Sequence, residues 1–176
     1  VSKENVSPVF SYPGIIGRLL WIARMTRADI ILAVTMLSAY NTNFTDDHVH
    51  AAKRVFSYLN TTQDHGLLIK KDSNFNLSTD KELPFHIYSD SDWARNKESR
   101  RSVTGYVAYL LGTPIVTRSC YQSTIALSSA EAEYMAMSDA AKEIVHFKNL
   151  FAEISRFKLK FPVPMYVDNT AAIAIA

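Results

Sequence analysis

Acidic residues fall at three places in this chain where a shared site could form. Asp90 and Asp92 follow a run in which Leu83, Phe85 and Ile87 alternate with more polar positions. Glu131 and Glu133 open a long stretch with helical periodicity, and Asp168 closes the short apolar run Met165-Tyr166-Val167. Strand ends and a helix start meet along one edge of an α/β core, which is where such folds gather functional groups. Three carboxylates brought together there would not all stay ionised unaided, because like charges repel strongly in a partly dry site. A hard divalent cation removes the conflict, since Mg²⁺ or Mn²⁺ prefers carboxylate oxygen and keeps several waters. Two such ions about 4 Å apart activate a water and stabilise the leaving oxygen of a phosphodiester. The chemistry implied is metal-dependent cleavage of a nucleic acid.

Each acid also has a structural reading. Glu131 stands three residues after Ser128, the spacing of a capping box. Asp92 can end a strand or cap a turn, and Asp168 before Asn169 can cap the next helix. Spacing alone leaves both readings open. Other chemistries find less support. His48 and His50 are two apart and do not share a helix face, while His65, His86 and His146 are isolated. No Ser-His-Asp elbow, phosphate-cradling glycine loop or zinc spacing is present. Arg95, Lys97, Arg100 and Arg101 crowd one short stretch opposed only by Glu98, and Arg156, Lys158 and Lys160 form a second cluster. Either is a solvated surface by default, or a contact for phosphate backbone. Trp93, Tyr106 and Tyr109 suit base stacking or a core.

The elements that would position the acids follow from periodicity. Pro13 suits a helix start, with apolar residues at 15, 16, 19, 20, 22 and 23 on one face. Asp29 is placed to cap a second helix, and Thr45 or Asp46 a third carrying Ala52, Val55, Phe56 and Leu59. Gly66-Leu-Leu-Ile69 reads as a short strand. Residues 72–82 are polar and turn-forming and mark a linker between a mainly helical segment, 1–71, and a second domain, 83–176. In that domain, strands are expected at Leu83–Asp90, Gly105–Leu111 and Pro114–Thr117, the last two joined by a turn at Gly112-Thr113. A long helix from near Ser128 would bury Tyr134, Met137, Ala141, Ile144, Phe151 and Ile154. Met165–Val167 then gives a further strand and the start of a helix. The class is α/β: a mixed sheet with a long helix packed on it.

With 176 residues, 48% hydrophobic and 20% charged, the chain is globular in composition and long enough for one medium domain or two small ones. A net charge of +2 does not by itself identify a nucleic-acid binder. Cys120 is the single cysteine, so no intrachain disulfide and no disulfide-linked partner is expected, and a reducing, intracellular setting fits. No apolar run has the length of a membrane span.

Four segments in order carry a resemblance: Tyr88-Ser-Asp-Ser-Asp-Trp93, Arg100-Arg-Ser-Val-Thr-Gly-Tyr106, Ala126-Leu-Ser-Ser-Ala-Glu-Ala-Glu-Tyr134 and Tyr166-Val-Asp-Asn169. Together they closely resemble the ribonuclease H domain of copia-type retrotransposon polyproteins. Upstream, Tyr12-Pro-Gly-Ile-Ile-Gly-Arg-Leu-Leu-Trp21, Thr26-Arg-Ala-Asp-Ile30 and Ala51-Ala-Lys-Arg-Val-Phe-Ser-Tyr-Leu59 resemble the segment joining that family's reverse transcriptase to its nuclease. The resemblance implies a ribonuclease H-like fold, with Asp90, Glu133 and Asp168 as catalytic ligands of Mg²⁺ or Mn²⁺, two ions in all, and Glu131 left to the helix cap. It implies an RNA–DNA hybrid as substrate, with the RNA strand told apart by its 2′-hydroxyl; Arg95, Lys97, Arg100 and Arg101, on their clustered charge alone, are the candidate nucleic-acid-binding residues. The rest of the Pol polyprotein would be its partner, in a cytoplasmic virus-like particle or the nucleus. The sequence departs from the family at Ala28, where proline is usual, and at Arg118–Gln122, where lysines are more frequent. The family also carries a further catalytic aspartate beyond the position of Asp168. The chain is therefore expected to be a nuclease region cut before that residue.

Overall fold

A computed structural model describes residues 11–70, 75–76, 78–96, 99–154 and 157–176. Tertiary contacts divide the chain into two compact units between Gly66 and Leu67. The polar stretch at 72–82 falls in the second unit, a few residues past that division, and 72–74 and 77 lie outside the described residues.

The first unit is helical. Ser11 caps α1 (Tyr12–Met25) by accepting from the Gly14 N–H, and Pro13 occupies the first turn, where its missing donor costs nothing. Tyr12, Ile16, Leu19 and Ala23 recur at helical spacing and are buried against Ile30, Val34 and Leu37 of the next segment and Ala52 and Val55 of the third helix. That next segment is a 3₁₀ turn, Ala28–Ile30, running into α2 (Ile31–Ser38). Asp29 does not cap α2. Its carboxylate is taken by Arg27, which pairs with it at 2.8 and 3.0 Å and also donates to the carbonyl and hydroxyl of Thr62. A guanidinium that is only 6% exposed needs those acceptors, and this demand outcompetes the cap. Thr45 does start α3 (Asp46–Thr61), and Nδ1 of His48 accepts from the Thr45 N–H at 3.0 Å, taking the place of the usual glutamate in a capping box.

The strand expected at Gly66–Ile69 is absent. These residues have no regular structure, and Leu68 and Ile69 are 65% and 81% exposed. Among the described residues no strand lies beside them to complete a ladder, and a short apolar run cannot be a strand alone.

The second unit is built on a four-stranded sheet in the order β4-β3-β2-β6, from β2 (Phe85–Asp92), β3 (Val103–Leu110), β4 (Thr113–Tyr121) and β6 (Met165–Tyr166). Strands β2, β3 and β4 are antiparallel, and β6 joins β2 in parallel. Two short strands, β1 (Glu82–Leu83) and β5 (Lys158–Leu159), pair separately. Pro84 interrupts the first expected strand and splits it into β1 and β2. The hairpin turn falls at Leu111-Gly112, one residue before the expected place. Both residues have positive φ, 51° and 74°, as a two-residue primed turn requires.

The long helix α4 (Ser129–Ile154) lies on the sheet face formed by Phe85, Ile87, Tyr106 and Ala108. Its most buried residues are Ala132, Glu133, Ala136 and Ala140. The stripe named from the sequence is therefore rotated by about one position: Tyr134, Ala141 and Ile154 are exposed, and Met137, Ile144 and Phe151 are half-buried. Alanines at i, i+4 and i+8 let the helix backbone sit close to the sheet, and the larger side chains flank that contact line. Helix α5 (Thr170–Ile175) follows β6. A mixed sheet crossed by one long helix, after a helical segment, is compatible with a ribonuclease H-like fold.

Candidate metal centre

The parallel register of β2 and β6 sets where the acids meet. Tyr88 pairs with Tyr166. Two residues after each tyrosine come Asp90, still within β2 and on the face of Tyr88, and Asp168, just past the end of β6. Those tyrosine rings, two residues before each acid, stack at 4.8 Å. β6 stops at Tyr166, so among the described residues no strand pairs with the edge of β2 beyond it on that side. Alternate N–H groups of β2 point to this edge: Ile87 donates to the Pro164 carbonyl. Four residues on, the Ser91 N–H donates instead to Oε1 of Glu133 at 3.1 Å. The first turns of α4 thus deliver a carboxylate into the gap where a strand would have been.

One carboxylate oxygen from each of Asp90, Glu133 and Asp168 lies within 4.8 Å of the others. Asp90 and Asp168 are exposed, and Glu133 is 5% exposed. Burial raises the Glu133 carboxyl above its ordinary value; the Ser91 N–H and the Ser91 side chain oppose this, and the charges of Asp90 and Asp168 add to it. Among the described residues, Oε2 of Glu133 is buried with no hydrogen-bond partner. A buried carboxylate oxygen left unpaired carries a desolvation cost that a bound cation would offset. The donor set is all carboxylate oxygen, with no histidine or cysteine in the cluster among the described residues, and Asp90 and Asp168 leave the site open on their sides. These features fit a hard divalent ion such as Mg²⁺ or Mn²⁺ and do not suit zinc or copper.

The competing structural readings fall to other residues. Asn169, not Asp168, caps α5, its side chain accepting from the Ala172 N–H at 3.0 Å. Glu131 sits at the α4 cap: its N–H donates to Ser128 Oγ at 3.1 Å, and its carboxylate reaches back one residue past the cap to the Leu127 N–H at 2.7 Å. Asp92 forms a surface ion pair with Arg95 at 2.7 Å. Arg95 is thus already engaged, whereas Arg100 and Arg101 are exposed on the loop that leaves the sheet at the acidic end; Lys97 lies outside the described residues. Of the second basic cluster, Lys158 and Lys160 are exposed and Arg156 lies outside the described residues.

Tyr106 does not face solvent. Its ring is 3% exposed in the core under α4, with its hydroxyl donating to Glu143, so it offers no stacking surface. Trp93 is half-exposed and its indole N–H donates to the Ala126 carbonyl, tying the end of β2 to the approach of α4. Tyr109 stacks on His86 at 5.0 Å.

Sequence reasoning missed what holds Glu133 in place. Gln122 is buried, and its amide donates to Thr104 Oγ1 and to the Ala132 carbonyl at 3.0 and 2.9 Å. The Gln122 N–H donates to the carbonyl of Ser102, which is wholly buried and accepts through Oγ from Ala94. This network fixes the first turn of α4 to β3 and β4. Ser102 and Thr104 lie inside the segment Arg100–Tyr106 that carried the resemblance, and small hydroxyl residues in a strand next to a basic loop were the available signal.

No protein-family model matches the chain, and no solved structure matches it. Among curated proteins it is 38% identical over 92% of its length to the Retrovirus-related Pol polyprotein from transposon RE2 of Arabidopsis thaliana. It is 37% identical over 97% of its length to the corresponding polyprotein from transposon RE1 of the same plant. The chain spans about a tenth of each of these, 10% and 11%. It is also 40% identical over 76% of its length to secreted RxLR effector protein 161 of Plasmopara viticola, of which it covers 89%.

Proposed function

This chain belongs to the retrovirus-related Pol polyproteins of copia-type transposons, and from that premise we propose that its second unit is a ribonuclease H that cleaves the RNA strand of RNA–DNA hybrids. The observation that carries the reading is the convergence of Asp90, Glu133 and Asp168 from β2, α4 and the end of β6, with one buried oxygen of Glu133 unsatisfied. Bound there, Mg²⁺ or Mn²⁺ would activate a water and stabilise the leaving oxygen of a phosphodiester. Asp90 and Asp168, both exposed, would hold the ion together with Glu133. The Ser91 N–H, donating to Oε1 of Glu133, would orient that carboxylate toward the ion. Arg100 and Arg101, on the loop at the same end of the sheet, supply charge for the phosphate backbone, and contacts with the 2′-hydroxyl select RNA. The first unit is proposed as the connection to the reverse transcriptase, and the remaining polyprotein in a virus-like particle as its partner.

The test is Mg²⁺-dependent cleavage of an end-labelled RNA–DNA hybrid, with the same RNA alone and the same DNA duplex as controls. Cleavage confined to the hybrid's RNA strand, and lost in Asp90→Asn, supports the reading. Equal cleavage by Asp90→Asn would sink it.

A second reading has one observation in its favour. A protein named as a secreted RxLR effector is covered over 89% of its length by this region. On that reading the chain is a non-catalytic binding module derived from a transposon, and hybrid binding would depend on Arg95, Lys97, Arg100 and Arg101 and persist in EDTA.

A further inference from the structure

Gly105 lies within β3, between β2 and β4, where glycine weakens a sheet by adding backbone freedom and packing nothing. The fold itself does not ask for it. Its φ is not positive, so any L-residue fits the backbone. A methyl group added there would meet only the carbonyl oxygens of Arg118 and Asp90, each at 3.9 Å, an ordinary contact. In contrast, the glycine at the hairpin turn has φ of 74° and is fixed by geometry.

The place of Gly105 is informative. It pairs directly with Asp90, and residues directly opposite on antiparallel strands project to the same face. Its missing side chain therefore bares the surface immediately beside the exposed Asp90 carboxylate. The next pairs on that face, Val107 with Tyr88 and Tyr109 with His86, carry full side chains. The bare position is confined to the flank of the carboxylates.

We infer that Gly105 is the substrate-access position of the site: the sugar–phosphate backbone of the RNA strand passes over it to reach the carboxylates. This rests on the nuclease reading and adds a residue that decides access without binding metal. A phosphodiester must come into contact with whatever Asp90 and Asp168 hold, and the sugar on either side of it needs room next to them. Glycine provides that room where the sheet would otherwise present a side chain. A β-branched residue at 105 would fill the path and leave the three carboxylates as they are.

The experiment uses the full chain and its Gly105→Ala and Gly105→Val variants. Three quantities are read: thermal midpoint, Mg²⁺ affinity by calorimetry, and affinity for a fluorescent RNA–DNA hybrid with Ca²⁺ in place of Mg²⁺. Midpoints equal to or above the parent are expected, with unchanged Mg²⁺ affinity. Hybrid affinity should fall by about tenfold or more for Gly105→Val and less for Gly105→Ala, the larger side chain holding the sugar–phosphate backbone further from its contacts. Parent-like hybrid binding by Gly105→Val overturns the inference and leaves the nuclease reading standing. A lowered midpoint or lost Mg²⁺ affinity also overturns it, by giving the glycine a role in folding or in the ion site. If the parent chain binds no hybrid, the nuclease reading fails and the inference fails with it.

Discussion

At the residue scale, Glu133 is the most informative side chain. It is buried, its carboxyl is raised by that burial and by the neighbouring charges of Asp90 and Asp168, and one of its oxygens has no partner. A carboxyl whose folded value lies above its ordinary 4.5 favours the fold below that value. That contribution is lost as pH rises through the folded value, so at neutral pH, without metal, Glu133 opposes folding. Glu133→Gln should therefore raise the metal-free thermal midpoint at pH 7, with the gain vanishing toward pH 4, and should abolish the midpoint increase that Mg²⁺ gives the parent. Thermal scans at both pH values, with and without Mg²⁺, check this; a lowered midpoint at pH 7 in EDTA would contradict it. The three acids that the structure brings together are ones that stood out in the sequence. Choosing Glu133 over Glu131, and Asp168 over a cap, needed the resemblance. The physical reason lies in residues that spacing does not reveal: Ser128 and Leu127 engage Glu131, and Asn169 takes the α5 cap.

At the scale of elements, the site depends on how α4 and α5 are seated. Strands were legible where alternation was clean, as in β2, and the hairpin where a glycine marked the turn. Less legible was the buried face of α4, because Ala132, Ala136 and Ala140 carry little hydrophobic signal while the larger Tyr134 and Ile154 point outward. The expected strand at Gly66–Ile69 and the Asp29 cap failed for a different reason: a missing partner strand and a buried arginine are tertiary facts. Enlarging the contact line tests the close approach. Ala136→Leu should cost about 1–3 kcal/mol by overpacking, read by urea denaturation, whereas Ala141→Leu, on the exposed side, should be nearly neutral. Similar losses in both variants would contradict the assigned face. Asn169→Ala should cost about 1 kcal/mol through the lost cap and weaken Mg²⁺ binding by loosening Asp168. An unchanged Mg²⁺ affinity would detach the cap from the site.

At the scale of the whole molecule, each unit has its own core, and the carboxylates all belong to the second. The first unit responds to pH through a different pair. Arg27 holds the Asp29 carboxyl below its ordinary 3.8, so that pair stabilises above this value and the gain is lost as pH falls through the lower folded value. Asp29→Asn should flatten the acid limb of unfolding below pH 4 and leave Mg²⁺ affinity unchanged, as circular dichroism and calorimetry would read; a loss of Mg²⁺ affinity would contradict the separation. The central claim is that Asp90, Glu133 and Asp168 hold a divalent cation together. Its most direct test is calorimetric titration of the chain with Mg²⁺ or Mn²⁺, alongside Asp90→Asn, Glu133→Gln and Asp168→Asn. Saturable binding by the parent, weakened by roughly tenfold or more in each variant, is the predicted result. Binding that is the same in the parent and in all three variants would contradict it.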